Sequence, residues 1–556
     1  MSDTTGGHAL VEALRAEGVK DVFGVVGTAM LNAYDALHST PEIRYVGVRH
    51  EQNGVHMADA YARIARRPGV MLAAQPGPGT TNLVSGVAEA FLAYSPVVVI
   101  AGDTTLAHVD RGTFQEIDQQ SLFAPITKRT LTVHSADRIS EYVHDAFRIA
   151  NTGRKGPVVL NVPGDLLTSA LEVSPEDPTR YFPIPATAPR SEDVAAITAE
   201  IKNAQRPVII AGAGVKWSGA STQLVELAHR IGAPIVASGG NGDVAPNDDP
   251  LFVGQMGPRG NSVADAIVAE ADLILAIGTR LGYNTTLFDA ARIPRTAVLV
   301  HSDIEPSAIG RHYPAKVGVA SDARELLRAI LKDCPPSGES HAEWVGRARE
   351  RRESLIQERA AAALSPQKPL HPINVFAALQ RVLPRDAIVT IDTGTISTPA
   401  TDGIMTFEPP SLLAPLDFGL VGFSYPAGLG AKVAAPSRPV VSIVGDGAFS
   451  MSMIELATAE QAGLPTVTLV LNNNSWGAEK AYQRDFFGGR YFGSDLINPD
   501  FVKVAEAYGV RGVHATTTDE VSEAVAHGIA DGVSVVVDIE IDQASITSLR
   551  KDYFTR

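Results

Sequence analysis

The chain has 556 residues, 45% of them apolar and 20% charged, with one cysteine and a formal net charge of −15. A chain this long exceeds what one hydrophobic core holds and calls for about three domains. The acidic balance argues against a nucleic-acid partner, which would need a basic stripe, and the lone Cys334 excludes an internal disulfide and a cysteine-cage metal site. No apolar run reaches membrane-spanning length, and the start "MSDTTGGHALVEALRAEG" lacks the basic-then-apolar order of a signal segment. These features lead us to expect a soluble, cytoplasmic protein with no membrane partner.

Short β-branched runs alternate with helical patterns almost throughout, the rhythm of buried parallel strands joined by helices. In the first segment the runs are "VMLAAQ", "VVVIAG" and "PVVLNV". There, "VRHEQNGVHMADAYARIARR" places Glu51 just after a strand and at the start of a helix. A glutamate in that position commonly serves as a capping or dipole partner. Residues 173–193, "VSPEDPTRYFPIPATAPRSED", are proline-rich and read as an extended connector.

The middle segment carries "PVIIAGAGVKWSGA", "ADLILAIGTRLGYNTT" and "TAVLVHSDIEP". Its glycines follow a strand, as in a nucleotide fold, but their spacing is not G-x-G-x-x-G, which leaves NAD poorly supported. Residues 334–372 join a charged helical pattern to proline-rich flanks. The expected divisions are therefore domains at 1–172, 190–333 and 365–545, with a short basic tail at 546–556.

The third segment holds the strongest chemical signal. "PVVSIVGDGAF" is a strand running into a turn in which Gly445 and Gly447 flank Asp446; such glycines let backbone N–H groups approach a phosphate. "MSMIELATAEQAGL" has helical spacing, closed by Gly463, and "TVTLVL" then delivers Asn472 and Asn473 to the same sheet edge. A carboxylate, an amide oxygen and a backbone carbonyl, completed by phosphate oxygens and water, suit octahedral Mg2+. Glu479 follows in "NNNSWGAEK". It is either an acid/base group aimed at a substrate or a salt-bridge partner of Lys480, Arg484 or Arg490 on a solvated helix face.

The GDG-to-NNN unit, with "HEQ", "MADAYAR", "GPGTTNLVSGVAEA" and "TFQEIDQQSLF", resembles the thiamine-diphosphate enzymes of the acetolactate synthase and pyruvate oxidase superfamily. The resemblance implies an α/β fold of three doubly wound parallel-sheet domains: pyrimidine-binding, central nucleotide-fold-like and diphosphate-binding. It implies that Asp446, Asn473 and the carbonyl of Ser475 hold Mg2+ at the coenzyme's diphosphate. Gly394 and Thr395 in "IDTGT" fall at the diphosphate turn, with Gly445, Gly447, Ala448 and Ala478 beside it. Gly419, Val421 and Gly422 match the segment that grips the aminopyrimidine, Val421 propping the two rings apart. Glu51 lands on the catalytic glutamate, Gly27, Pro76, Gly77 and Asn82 on coenzyme-facing loops, and Phe114 and Gln115 on the substrate side.

Such enzymes build each site between two subunits, so a homodimer is the minimum implied and a homotetramer stays open. The substrate implied is a small carbonyl compound. "WGAEK", "FQEIDQ" and "LRKDYF" look most like sulfoacetaldehyde acetyltransferase, while "FGVVGTAM" also resembles 2-hydroxyacyl-CoA lyases and 2-oxo acid decarboxylases. Lys480 and Arg484 are candidates for holding an anionic substrate head, and Arg550 and Lys551 for a closing tail. Gly282–Tyr283–Asn284 replaces the acidic pair of flavin-binding relatives, which speaks against FAD. A central domain without a nucleotide is the preferred reading, with Arg280 and Asp303 the candidates for an ADP-type nucleotide. The other classes are a nicotinamide oxidoreductase, which lacks its fingerprint, and a non-catalytic binding subunit, which would have lost Glu51 or Asp446.

Overall fold

The computed structural model describes residues 4–171, 185–336, 338–364, 368–415 and 417–548. The connector read at 173–193 lies outside these as far as residue 184, and so does the tail with Arg550 and Lys551. Among the described residues, no helix is long and apolar enough to cross a membrane.

Three six-stranded sheets follow one another along the chain, and every strand pairing in them is parallel. The first contains β1 (Asp21–Val25), β2 (Arg44–Gly47), β3 (Gly69–Ala73), β4 (Val97–Asp103), β5 (Arg129–Thr132) and β6 (Val158–Pro163), in the order β2-β1-β3-β4-β6-β5. The second contains β7 (Pro207–Ala211), β8 (Ile235–Ala237), β9 (Phe252–Gln255), β10 (Leu273–Ile277), β11 (Val298–Asp303) and β12 (Val317–Ala320), in the order β12-β11-β10-β7-β8-β9. The third contains β13 (Ile388–Ile391), β14 (Leu412–Leu413), β15 (Val440–Gly445), β16 (Val467–Asn472), β17 (Arg511–Ala515) and β18 (Val535–Glu540), in the order β14-β13-β15-β16-β18-β17. The doubly wound α/β expectation therefore holds. β-branched runs such as Pro207–Ala211 and Leu273–Ile277 are buried along their whole length, as strands covered by helices on both faces must be.

Strand order decides where ligands can sit. In the first sheet the chain leaves β1 toward one edge and β3 toward the other, which opens a crevice at their C-terminal ends. The third sheet repeats that winding, with its crevice between β13 and β15. The central sheet has instead the winding of dinucleotide-binding folds, with its crevice between β7 and β10.

The first and third sheets meet through two helices, Glu51–Ala65 and Ser424–Ala434. Small residues let them touch backbone to backbone: a Cβ on Gly430 would lie 2.1 Å from the Met57 carbonyl oxygen. Arg63 ties the same junction. Its guanidinium takes both Asp59 oxygens at 2.8 and 2.6 Å, donates to the Ala414 carbonyl at 2.8 Å and lies 5.3 Å from the Phe423 ring centre. Gly430→Ala must therefore push the two helices apart. We expect it to cost about 1–3 kcal/mol, read as a lowered midpoint in chemical denaturation; an unchanged midpoint would show that this contact is looser than drawn.

Candidate active site

The GDG turn joins a strand directly to a helix. β15 ends at Gly445, and Asp446 opens the helix Asp446–Ser452 with its carboxylate buried. A Cβ on Gly447 would lie 2.6 Å from the Trp476 ring, so no larger residue fits there. At Gly445 and Gly394 an added Cβ would meet no atom within 4 Å, which leaves room for a ligand's oxygens over the backbone.

From the neighbouring strand β16 come Asn473 and Ser475. Asn474 between them sits at φ +52°, and this left-handed step turns the chain back on itself. The Ser475 N–H lies 3.2 Å from both Asp446 Oδ2 and Asn473 Oδ1, so one donor draws a carboxylate and an amide oxygen to the same point. Asn498 Nδ2 adds a bond to Asp446 at 2.7 Å. Burial raises the Asp446 pKa, and these donors oppose the rise. Two converging hard oxygens beside open backbone fit a divalent cation carrying phosphate oxygens.

The loop bearing Gly419, Val421 and Gly422 is held by a residue the motifs did not single out. Asp392, at the end of β13, accepts N–H bonds from Thr393 at 2.9 Å, Gly422 at 3.0 Å and Ser424 at 2.7 Å. Burial pushes its pKa up to about 6. Gly419 and Gly422 take φ of +70° and +90°, a region that L side chains rarely adopt.

Every residue nominated in the third segment, from Gly394 to Glu479, except Gly422 lines one cavity of about 890 Å3. Its opposite wall comes from the central segment and includes Arg259, Arg280, Arg311 and His312. Glu479 lies in the first turn of the helix Gly477–Phe486, exposed toward the cavity, and makes no ion pair among the described residues. Lys480 does not line the cavity, because its Nζ is taken by Asp495 at 2.6 Å and Gln543 at 3.3 Å. Arg484 is likewise engaged, by Asp485 at 2.7 Å and the Ile546 carbonyl at 3.1 Å.

The first segment gathers its nominees at the C-terminal edge of its own sheet. Glu51 is half-buried, and its Oε2 accepts from Asn82 Nδ2 at 2.9 Å. Gln75 links the loops of Gly27 and Gln115: its Oε1 accepts from the Ala29 N–H at 3.4 Å, and its Nε2 donates to Gln115 Oε1 at 2.8 Å. Gln115 sits at φ +65°, packed over Gly77 beside the buried Pro76. Phe114 is 85% exposed. None of these residues lines the cavity of the third segment.

Sequence reasoning also missed Glu455. This fully buried carboxylate accepts the backbone N–H groups of Arg49 at 3.1 Å and His50 at 3.0 Å, and Asn53 Nδ2 at 3.0 Å. It thereby fixes the two residues just before Glu51. The central crevice holds a second cavity of about 540 Å3, with Gly278, Arg280 and Asp303 on its wall. Arg280 bonds Asp417 and stands 4.6 Å from the Tyr94 ring centre, while burial raises the Asp303 pKa.

Known proteins are similar to this chain in sequence. Residues 4–122 match the model of the thiamine pyrophosphate enzyme N-terminal TPP binding domain, 194–330 the central domain of the same family, and 392–539 its C-terminal TPP binding domain. A probable acetolactate synthase large subunit from Methanocaldococcus jannaschii is 34% identical, over 97% of this chain and 92% of its own. A sulfoacetaldehyde acetyltransferase from Castellaniella defragrans is 33% identical, over 95% and 91% respectively. The acetolactate synthase isozyme 3 large subunit of Escherichia coli is 33% identical, over 98% and 96%. With one family's three domains matched in order and relatives at this identity along nearly the whole length, the chain belongs to the thiamine pyrophosphate enzymes.

Proposed function

We propose that the protein uses thiamine diphosphate with Mg2+ to make or break a bond beside the carbonyl of a small 2-oxo acid, aldehyde or acyl substrate. The outcome is either the joining of two carbonyl compounds, for which its acetolactate synthase relatives are named, or acyl transfer, for which the sulfoacetaldehyde acetyltransferase is named. The observation that carries this reading is the single cavity in which Asp446, Asn473 and Ser475 face an unpaired Glu479.

When bound, thiamine diphosphate supplies a nucleophilic carbon that adds to a carbonyl and an electron sink for cleavage next to it. Asp446, Asn473 and the Ser475 carbonyl would hold the metal, and Gly394, Thr395, Gly445, Gly447, Ala448 and Ala478 the diphosphate over their backbone. Val421, with Gly419 beside it, would prop the rings. Glu51 would move a proton at N1′ of the aminopyrimidine. Glu479, free of any counter-ion, would pass a proton to the reacting carbon or the departing group.

Glu51, Asn82, Phe114 and Gln115 lie outside the cavity, which supports a homodimer in which Glu51 of the partner subunit completes it. Large apolar side chains left bare at both edges fit such an interface: Phe114 is 85% exposed and Phe492 89%. A homotetramer would be two such dimers. An ADP-type nucleotide would belong in the central cavity beside Arg280 and Asp303, and the chemistry above does not depend on it. The single buried thiol of Cys334 suits the cytoplasm.

The direct test supplies the magnesium- and coenzyme-loaded enzyme with pyruvate, or with sulfoacetaldehyde and phosphate, and identifies products by mass spectrometry. Turnover of one set is expected, with kcat about a hundredfold lower in Glu479→Gln; turnover of neither overturns the reading. Asp446→Ala should weaken Mg2+ and thiamine diphosphate together by at least about a hundredfold, no less than loss of an outer-shell partner costs. Equilibrium titration measures this, and wild-type affinity would remove Asp446 from the metal. Glu51→Gln should bind the coenzyme almost normally yet lose hydrogen–deuterium exchange at its C2; retained exchange would remove Glu51 from the proton path.

A further inference from the structure

The cavity wall contains a half-buried arginine for which the described residues provide no counter-ion. Arg259 stands in the turn Gly257–Pro258–Arg259–Gly260, closed by the Gly260 N–H to the Gly257 carbonyl at 3.0 Å. Both glycines are needed there. Gly257 takes φ +97°, and a Cβ on Gly260 would lie 2.0 Å from the Gln255 carbonyl oxygen. Asn261 then caps the helix Ser262–Glu270 and donates to Asp402 at 2.8 Å, which ties the turn to the third segment. The backbone is thus fixed, and the side chain lines the cavity.

The other arginines on this wall are either paired or exposed. Arg280 is paired with Asp417, whose second oxygen takes Asn284 Nδ2 at 2.6 Å. Arg311 is exposed. Arg259 is recessed, and burial lowers its pKa from the usual guanidinium value. Among the described residues its side chain makes no hydrogen bond or ion pair, and only the more distant Asp417 and Glu89 act on it through their fields. Glu89 cannot serve as its anion. It lies 3.6 Å from Arg63, and burial pushes its pKa up to about 8, so near neutral pH it is mostly protonated.

A half-buried guanidinium on a cavity wall with no partner keeps its donors free for a ligand, and a planar fork of donors is suited to an oxyanion. We propose that Arg259 binds the negatively charged end of the substrate, so that the enzyme selects small carbonyl compounds bearing a carboxylate, a sulfonate or a phosphate. This deepens the thiamine-enzyme reading of the same cavity and rests on it. It moves the anion-holding role from Lys480 and Arg484, whose partners lie elsewhere, to the opposite wall.

The test titrates acetate, methanesulfonate and inorganic phosphate separately into the magnesium- and coenzyme-loaded enzyme by calorimetry. The wild type should bind at least one of them, and the tightest identifies the substrate's charged group. Arg259→Met should bind that anion at least about tenfold more weakly, with Arg259→Lys in between, because a point charge replaces the fork. Without ligand, Arg259→Met should melt no lower than wild type, since it removes a half-buried charge that no described residue pairs with. Equal anion binding by wild type and Arg259→Met, or a lower melting temperature for that variant, overturns the assignment. Failure of the parent reading shows separately, as absence of saturable thiamine diphosphate uptake.

Discussion

Glu455 has left water entirely, and what it binds determines where the first sheet's chemistry can stand. Its oxygens receive the N–H groups of Arg49 and His50, the Asn53 amide and the Thr458 hydroxyl. Burial alone would favour the protonated acid, and its pKa is raised accordingly, but each of these donors favours the ionised form. A buried carboxylate held by backbone donors tolerates little displacement, because losing a donor exposes the full cost of desolvation. Glu455 and Thr458 belong to the third segment and the other three donors to the first. The position of Glu51 is therefore set by a group some 400 residues away, together with the close approach of Gly430 to Met57.

Asp392 plays the corresponding part inside the third sheet. Three N–H groups converge on it, two of them from the segment that carries Val421. Both carboxylates convert a loop into a surface of fixed shape, which a site requires if it is not to spend binding energy on ordering itself. The first and third sheets share one winding, so each presents its crevice at strand C-termini in the same way. The central sheet, wound differently, contributes a wall with Arg259, Arg280 and Arg311.

Much of this was legible in the sequence for a local reason. Runs such as "VVVIAG", "LILAIG" and "TVTLVL" became strands flanked on both sides, where unbroken β-branched residues are required. The edge strands β2, β12 and β17 mix buried and exposed positions, and they left no comparable run to read. "MSMIELATAEQAGL" reads as one helix, but a 3-10 step at Met453–Glu455 interrupts it and turns Glu455 inward. Glycine, aspartate and asparagine at strand ends are local marks of a phosphate and metal turn. The functions of Asp392, Glu455, Asn498 and Arg259 depend on partners far away in the chain, so their sequence neighbourhoods look ordinary. Asp392 stood inside the quoted "IDTGT" and was passed over for the residues that follow it.

Charge balance in the interior then explains why the two walls differ. Asp59 with Arg63 and Asp417 with Arg280 are neutral as pairs, and a mostly protonated Glu89 adds little to either. What remains is a buried carboxylate at Asp446 on one wall and a recessed guanidinium at Arg259 on the other. Each is costly alone in a region of low dielectric, and each becomes favourable when its counter-charge arrives. On the reading proposed above, a divalent cation would answer the first and an oxyanion the second. A substrate anionic at one end would then be oriented before any bond changes, its carbonyl directed away from Arg259 and toward Glu479. Such orientation is worth several kcal/mol of barrier, about 7 or more in well-aligned cases, which would offset the electrostatic cost of leaving both groups unpaired.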